Sequence, residues 1–436
     1  MNIAIFTLRA IAEAITTMPY VLILITLGIV LYLRNKNTVA MQRMVIGEYI
    51  NSAFELTISQ IVLGIFAGAL GSLILSYLGV IFDSQATISL LFMLSIILML
   101  FRSRFICFSY SAGILSILSV VFRIFQKSNN TNLSQYDFLK VDVVMVMSLV
   151  AVMHIIEGIL VFIDGDKGSI PVFSNKNNKI VGGFALKRYW AIPIAVMFLI
   201  NNPVASDSVN IALPSFWPII KSSYFTVIAT TVMSLLPFYG MIGYSAITFT
   251  KTKREKAINS GLFIGSYGVI LLIVAQLARL NLVAQLMVAI FAPLAHEVML
   301  KMQVYYELKG TPKYVSTDDG LMVLEVAPSS PAYEMGIKSG DLLMEVNNKK
   351  IFNEQDMIEA LGEMSNFIWL KVKTVKGKLL QIDYNKMNRT KRLGIIFVPK
   401  FIPKESVIVK YNKNKFEDVL QKAKEKKDND DNDKTS

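Results

Sequence analysis

The run Leu282-Val-Ala-Gln-Leu-Met-Val-Ala-Ile-Phe-Ala-Pro-Leu-Ala-His-Glu-Val-Met-Leu-Lys301 decides the fold, together with the residues on its C-terminal side. It is apolar until His296-Glu297, and the character of the chain changes just beyond it. Residues 1–300 hold 20 Lys/Arg and 12 Asp/Glu, whereas the much shorter remainder, 301–436, holds 24 and 20. The whole chain is 53% hydrophobic and 17% charged with a formal charge of +12, against about 25% charged residues in ordinary soluble domains. A single soluble globule and a fully disordered chain are excluded. One cysteine, Cys107, in an apolar stretch cannot form an internal disulfide or a zinc cluster. The run therefore joins a membrane domain to a soluble one.

Working back from it, a spanning helix needs about 20 mostly apolar residues. Thr16–Leu33, Ile58–Phe82, Phe105–Phe125, Val141–Ile163, Tyr224–Thr250 and Ile258–Leu277 qualify, and Leu282–Met299 makes a seventh. Ile88–Phe101 is short but uncharged, and Trp190–Ile200 spans only if it continues, kinked, through Pro203, Pro214 and Pro218. Eight or nine spans are predicted. Met1–Ala14 lacks a basic start, so no cleavable signal is expected. Basic loops at Arg34/Lys36/Arg43, Arg102/Arg104, Lys167–Arg188 and Lys251–Lys256 alternate with loops nearly free of Lys and Arg, which places the C-terminal part in the cytoplasm. Arg123, Lys127 and Lys140 break that alternation. Gly64-x-x-x-Gly68, extended by Gly71, predicts close helix packing.

Working forward, the pattern from Thr317 becomes short alternating strands and turns. Gly320–Val326 reads as a strand, Ala327–Pro331 as a turn, and Ala332–Met335 as a short helix stopped at Gly336. A strand follows at Leu342–Asn347, then a helix at Asn353–Leu361 and a hairpin of Phe367–Val375 with Leu379–Tyr384. The run Pro328-Ser-Ser-Pro-Ala332, Gly336-Ile-Lys-Ser-Gly-Asp-Leu-Leu343 and Val346-Asn-Asn348 resembles a bacterial PDZ domain. PDZ domains bind by strand addition, an extended ligand pairing with a sheet edge beside a helix. Nothing before Gly320 supplies the apolar-Gly-apolar loop that would hold a terminal carboxylate. Leu393-Gly394-Ile395 does, with Ile395, Ile396 and Phe397 as the groove strand and Ile358 on the facing helix. That order resembles the permuted PDZ domains of bacteria. Lys391 and Arg392 would favour anionic ligands; the alternative is a plain closing edge strand.

The chain has two histidines. His296-Glu297-Val-Met-Leu300 begins a zinc-protease motif but has Leu where a second ligand belongs, and His154-Ile-Ile-Glu-Gly158 has Gly there. Phe162-Ile-Asp-Gly165 resembles the Asp-Gly signature of the same class. No catalytic residue, metal or cofactor is expected from these fragments, and no enzyme. His154 and Glu157, three apart on one face, read as an intramembrane polar pair that fixes helix packing, or alternatively as part of an ion or substrate path. His296-Glu297 reads as an interfacial elbow orienting the soluble domain.

Taken together, three features resemble the MinJ-type cell-division topology proteins of Gram-positive bacteria. They are the basic end of the first span (Leu31–Lys36), the span from His154 into Asp164-Gly165, and Phe291–Glu297 leading into one PDZ domain. The resemblance implies a membrane-anchored adaptor at poles and septum that bridges DivIVA-like and MinD-like partners. The expected architecture is a polytopic α-helical membrane domain (1–305), a small α+β PDZ domain of permuted strand order in the cytoplasm (310–400), and a charged flexible tail (401–436). A PDZ-bearing accessory of a membrane protease and, less favoured, a transporter share these features. The positive charge faces lipid and needs no nucleic acid.

Overall fold

The computed structural model describes residues 2–46, 50–82, 85–101, 103–129, 134–176, 179–200, 213–220, 232–362, 367–386 and 392–400. The tail 401–436, Arg102, Pro203 and Lys391 lie outside them. Among the described residues, six helices are long and apolar enough to cross a membrane. They are α2 (Tyr20–Ile46), α3 (Ala53–Leu78), α5 (Phe108–Asn129), α6 (Val143–Asp164), α7 (Lys253–Ala275) and α8 (Leu282–Lys309). A shorter α1 (Ile3–Thr16) precedes them, and α4 (Gln85–Phe101) lies between α3 and α5.

Their ends carry local causes. Asn2 caps α1 by accepting from the Ala4 amide at 3.0 Å. In Thr252-Lys-Arg-Glu255 the threonine hydroxyl accepts from the Glu255 amide while the Glu255 carboxylate accepts from the Thr252 amide, which satisfies two orphan donors of α7. Asn281 caps α8 through the Ala284 amide at 2.8 Å. The most enclosed helix is α6, where every residue from Val143 to His154 is buried.

Two predicted spans are not helices. Within Trp190–Ile200 and Tyr224–Thr250 the described residues, up to Thr248, belong to strands β3 (Lys179–Ile200) and β4 (Val232–Thr248), paired antiparallel from Phe184↔Thr248 to Ile200↔Val232. Among the described residues the predicted eight or nine spans are matched by six helices of spanning length plus the shorter α4. The physical reason is that an apolar run alone does not separate a buried strand from a helix. These runs are rich in β-branched and aromatic residues and carry Pro193, Pro237, Gly240 and Gly243, which suit strands better than a helix interior. Strand β2 (Ile170–Lys176) adds to the other side of β3, and the two-residue β1 (Ile81–Phe82) runs parallel to its end.

The Gly64-x-x-x-Gly68 motif packs on this hairpin rather than on another helix. A Cβ on Gly64 would sit 2.0 Å from the Ala191 carbonyl oxygen, and one on Gly68 2.0 Å from that of Pro193. Ser72, one turn on, accepts from the Ala195 amide at 2.9 Å. The close helix pair is α6 with α7, where Gly158 meets Gly261 and Gly265 backbone to backbone.

Beyond Gly310, which caps α8, comes a small sheet of order β10-β5-β6-β8-β9, with the two-residue β7 (Lys349–Lys350) paired to β6. Its strands are β5 (Leu321–Val326), β6 (Leu342–Val346), β8 (Ile368–Lys373), β9 (Leu379–Tyr384) and β10 (Ile395–Phe397). Helices α9 (Pro331–Glu334) and α10 (Glu354–Gly362) complete it, started by Ser330 and Asn353. Asn347 and Asn348 take φ of 48° and 65°, the left-handed turn that asparagine tolerates.

Candidate functional site

Strand β10 closes the sheet beside β5, in register Ile395↔Val326, Ile396↔Glu325 and Phe397↔Val323. Being terminal in the strand order, β10 has one edge with no strand partner among the described residues. Gly394 enters it at φ +76°, and a Cβ there would lie 2.3 Å from Ser330 Cβ, so only glycine fits. The Ala327–Ala332 segment holds this loop, the Ala327 amide donating to the Gly394 carbonyl (2.8 Å) and that of Ala332 to the Leu393 carbonyl (3.1 Å).

Alternation then sorts the predicted groove residues. Leu393, Ile395 and Phe397 join the core of the small domain together with Met357 and Ala360 of α10. Ile396 points the other way, into the core shared with the membrane domain. Ile358 on α10 is 63% exposed, and Arg392 is exposed at the mouth of the loop. Sequence reasoning missed that this domain is docked. The Gly182 amide of β3 donates to the Tyr314 carbonyl (2.9 Å), Lys253 pairs with Glu325, and Lys313 pairs with Glu255. Val398 and Leu324 fill the space that Gly182 leaves. Tyr314 is itself buried, edge-on to Phe184, and burial pushes its phenol above the ordinary range.

The second arrangement lies among the helices. His296 is not at an interfacial elbow: α8 continues to Lys309, so His296 falls near its midpoint, and it is buried. His154 sits near the midpoint of α6 and is also buried. The two rings are 5.4 Å apart, both edge-on to Tyr267. The chain breaks between α4 and α5, and the break delivers Cys107 to them, its Sγ 3.2 Å from His154 Nε2 and 3.6 Å from His296 Nε2. Glu157, one turn along from His154, lines the same cavity of about 1260 Å3, as do Arg34 and Lys256. Two histidine fragments, each too incomplete to hold a metal alone, are thus brought together by the fold, with a cysteine in place of the missing third donor.

Asp164, read as a signature residue, is engaged elsewhere. It accepts from Arg188 and from Trp190 Nε1 (3.0 Å), all three buried. Arg188 consequently does not belong to a water-facing basic loop. Similarly, Glu307 near the end of α8 accepts from the Phe249 and Thr250 amides (2.7 and 3.0 Å) and lies 3.5 Å from Lys256, tying the end of β4 to that helix.

The apolar helices and the small α+β domain define a class: membrane proteins that carry a PDZ domain. The PDZ domain family matches residues 312–390, ending just short of β10. Beyond that class, the chain resembles the MinJ-type proteins. It is 23% identical over 227 residues to the probable cell division topological determinant MinJ of Lacticaseibacillus paracasei, covering 51% of this chain and 56% of that protein. It is 28% identical over 113 residues to the cell division topological determinant MinJ of Bacillus subtilis (strain 168), 25% of this chain and 28% of that one. A shorter stretch of 68 residues is 29% identical to the serine endoprotease DegS of Haemophilus influenzae, 15% of this chain and 20% of that protein. The matches thus span little more than half of the curated relatives at most. No solved structure matches the chain at a significant level.

Proposed function

We propose that the chain is a membrane-anchored, non-enzymatic adaptor that recruits protein partners through its PDZ groove and acts in placing the division site at poles and septum. The observation that carries this reading is the edge of β10 that has no strand partner among the described residues, entered through Gly394 and sharing a core with Met357 and Ala360 of α10, on a chain similar to cell division topological determinants. Strand addition to such an edge supplies affinity through main-chain hydrogen bonds and specificity through side-chain pockets. By resemblance the partners are DivIVA-like and MinD-like proteins. The groove domain faces the cytoplasm in this reading. Its docking beside the basic segment Lys251–Lys256 supports that side, because short cytoplasmic loops collect Lys and Arg.

The similarity to DegS over 68 residues supports a second reading, a PDZ-bearing accessory of a membrane protease. A photo-crosslinking residue at Ile358, in dividing cells, separates the two. Capture of a division protein is the outcome expected of the adaptor. Capture of a membrane protease in its place would transfer the function to the second reading.

A further inference from the structure

We propose that Cys107, His154 and His296 form a three-donor site for a zinc-type divalent ion at the middle of the helical domain, with a fourth position open to the cavity beside Glu157.

His154 Nδ1 lies 2.8 Å from the Val150 carbonyl oxygen, which can only accept, so the proton of the neutral ring is on Nδ1 and Nε2 carries a lone pair. The same logic holds for His296. Tyr110 donates its hydroxyl proton to Glu297 at 2.6 Å, leaving its oxygen to accept from His296 Nδ1 at 3.3 Å. Both Nε2 lone pairs then face the one sulfur of Cys107. A thiol has one proton and can satisfy one of them. Ser109 is near His154 Nε2 (3.3 Å), but its nearer acceptor is Tyr267 at 2.8 Å, whose own proton goes to the Ala292 carbonyl. Three donor atoms of the histidine and cysteine type thus converge with a proton too few, which is the arrangement a cation resolves.

The spacing agrees. With Zn–S of about 2.3 Å and Zn–N of about 2.0–2.1 Å, a tetrahedral centre sets sulfur and nitrogen about 3.6 Å apart. The observed separations are 3.2 and 3.6 Å, and all three ligand atoms lie within 4.8 Å of one another. One thiolate with two imidazoles is a donor set suited to zinc. Outward Nδ1–H bonds to a carbonyl and to a carboxylate-bound tyrosine are the supports that fix ligating rings. On binding, the thiol releases its proton to water in the cavity. The thiolate then offsets one of the ion's two positive charges, which lowers the cost of an ion among apolar helices.

The full-length chain, purified in detergent and stripped with a chelator, would be titrated with Co2+ as an optical probe. The expected result is one Co2+ per chain, a thiolate charge-transfer band in the near ultraviolet, tetrahedral bands in the visible, and loss of both on adding Zn2+. Cys107→Ser, a small change at a half-buried position, would abolish the charge-transfer band. Tyr110→Phe would weaken binding by about tenfold through the lost support of His296. Absence of saturable Co2+ binding, or bands that survive Cys107→Ser, would overturn the site. None of these readouts depends on a division role.

Discussion

The Gly182 amide donates to the Tyr314 carbonyl at 2.9 Å, so the small C-terminal domain is joined to strand β3 by a backbone bridge. A Cβ on Gly182 would meet Val398 at 2.6 Å and Leu324 at 3.0 Å. Gly182→Leu is expected to lift the small domain off β3 without unfolding the helices. Hydrogen exchange would read this as faster exchange in β5 and β10 with α6 unchanged.

Gly68 tolerates no side chain, since its Cβ would meet the Pro193 carbonyl oxygen, part of a paired strand. Gly68→Leu should destabilise by at least the about 1–3 kcal/mol of ordinary overpacking, seen as a lower melting temperature in detergent. Ser72→Ala, which removes the bond from the Ala195 amide and the hydroxyl's own bond to the Gly68 carbonyl, should cost about 1–3 kcal/mol.

Asp164 and Arg188 form a buried pair, so removing either partner strands a charge. Asp164→Asn or Arg188→Met should each cost about 3–5 kcal/mol. The double variant should recover much of that loss, because neither charge is then left alone. Thermal melts of the four proteins in a double-mutant cycle would measure the coupling.

Burial raises the Glu354 carboxyl above its ordinary range at the start of α10. A raised folded value means the folded state holds the proton more tightly, so this group favours folding at acid pH and the benefit is lost as pH rises through the folded value. Glu354→Gln should therefore raise the melting temperature at neutral pH and lose that advantage in acid.

How much of the fold and of the site was legible in the sequence depends on what each signal measures. The PDZ strands were readable because turns such as Ala327–Pro331 and Asn347-Asn348 punctuate alternating runs, and the structure follows them nearly residue by residue. The β3–β4 hairpin was not, since hydropathy registers burial and is blind to whether Trp190–Ile200 pairs with a neighbour or coils on itself. The cluster of Cys107, His154 and His296 was hidden because its members are 47 and 142 residues apart in sequence. A sequence signal did exist: the only cysteine and both histidines of the chain all fall in apolar stretches, where polar side chains are costly without partners.

The adaptor reading is tested most directly by imaging a fluorescent fusion of the full chain in dividing cells, beside its Ile358→Glu variant, which alters an exposed position of the proposed groove. The account predicts enrichment of the parent at septum and poles, and loss or weakening of that enrichment in the variant at equal membrane abundance. A parent protein spread evenly around the membrane would contradict it.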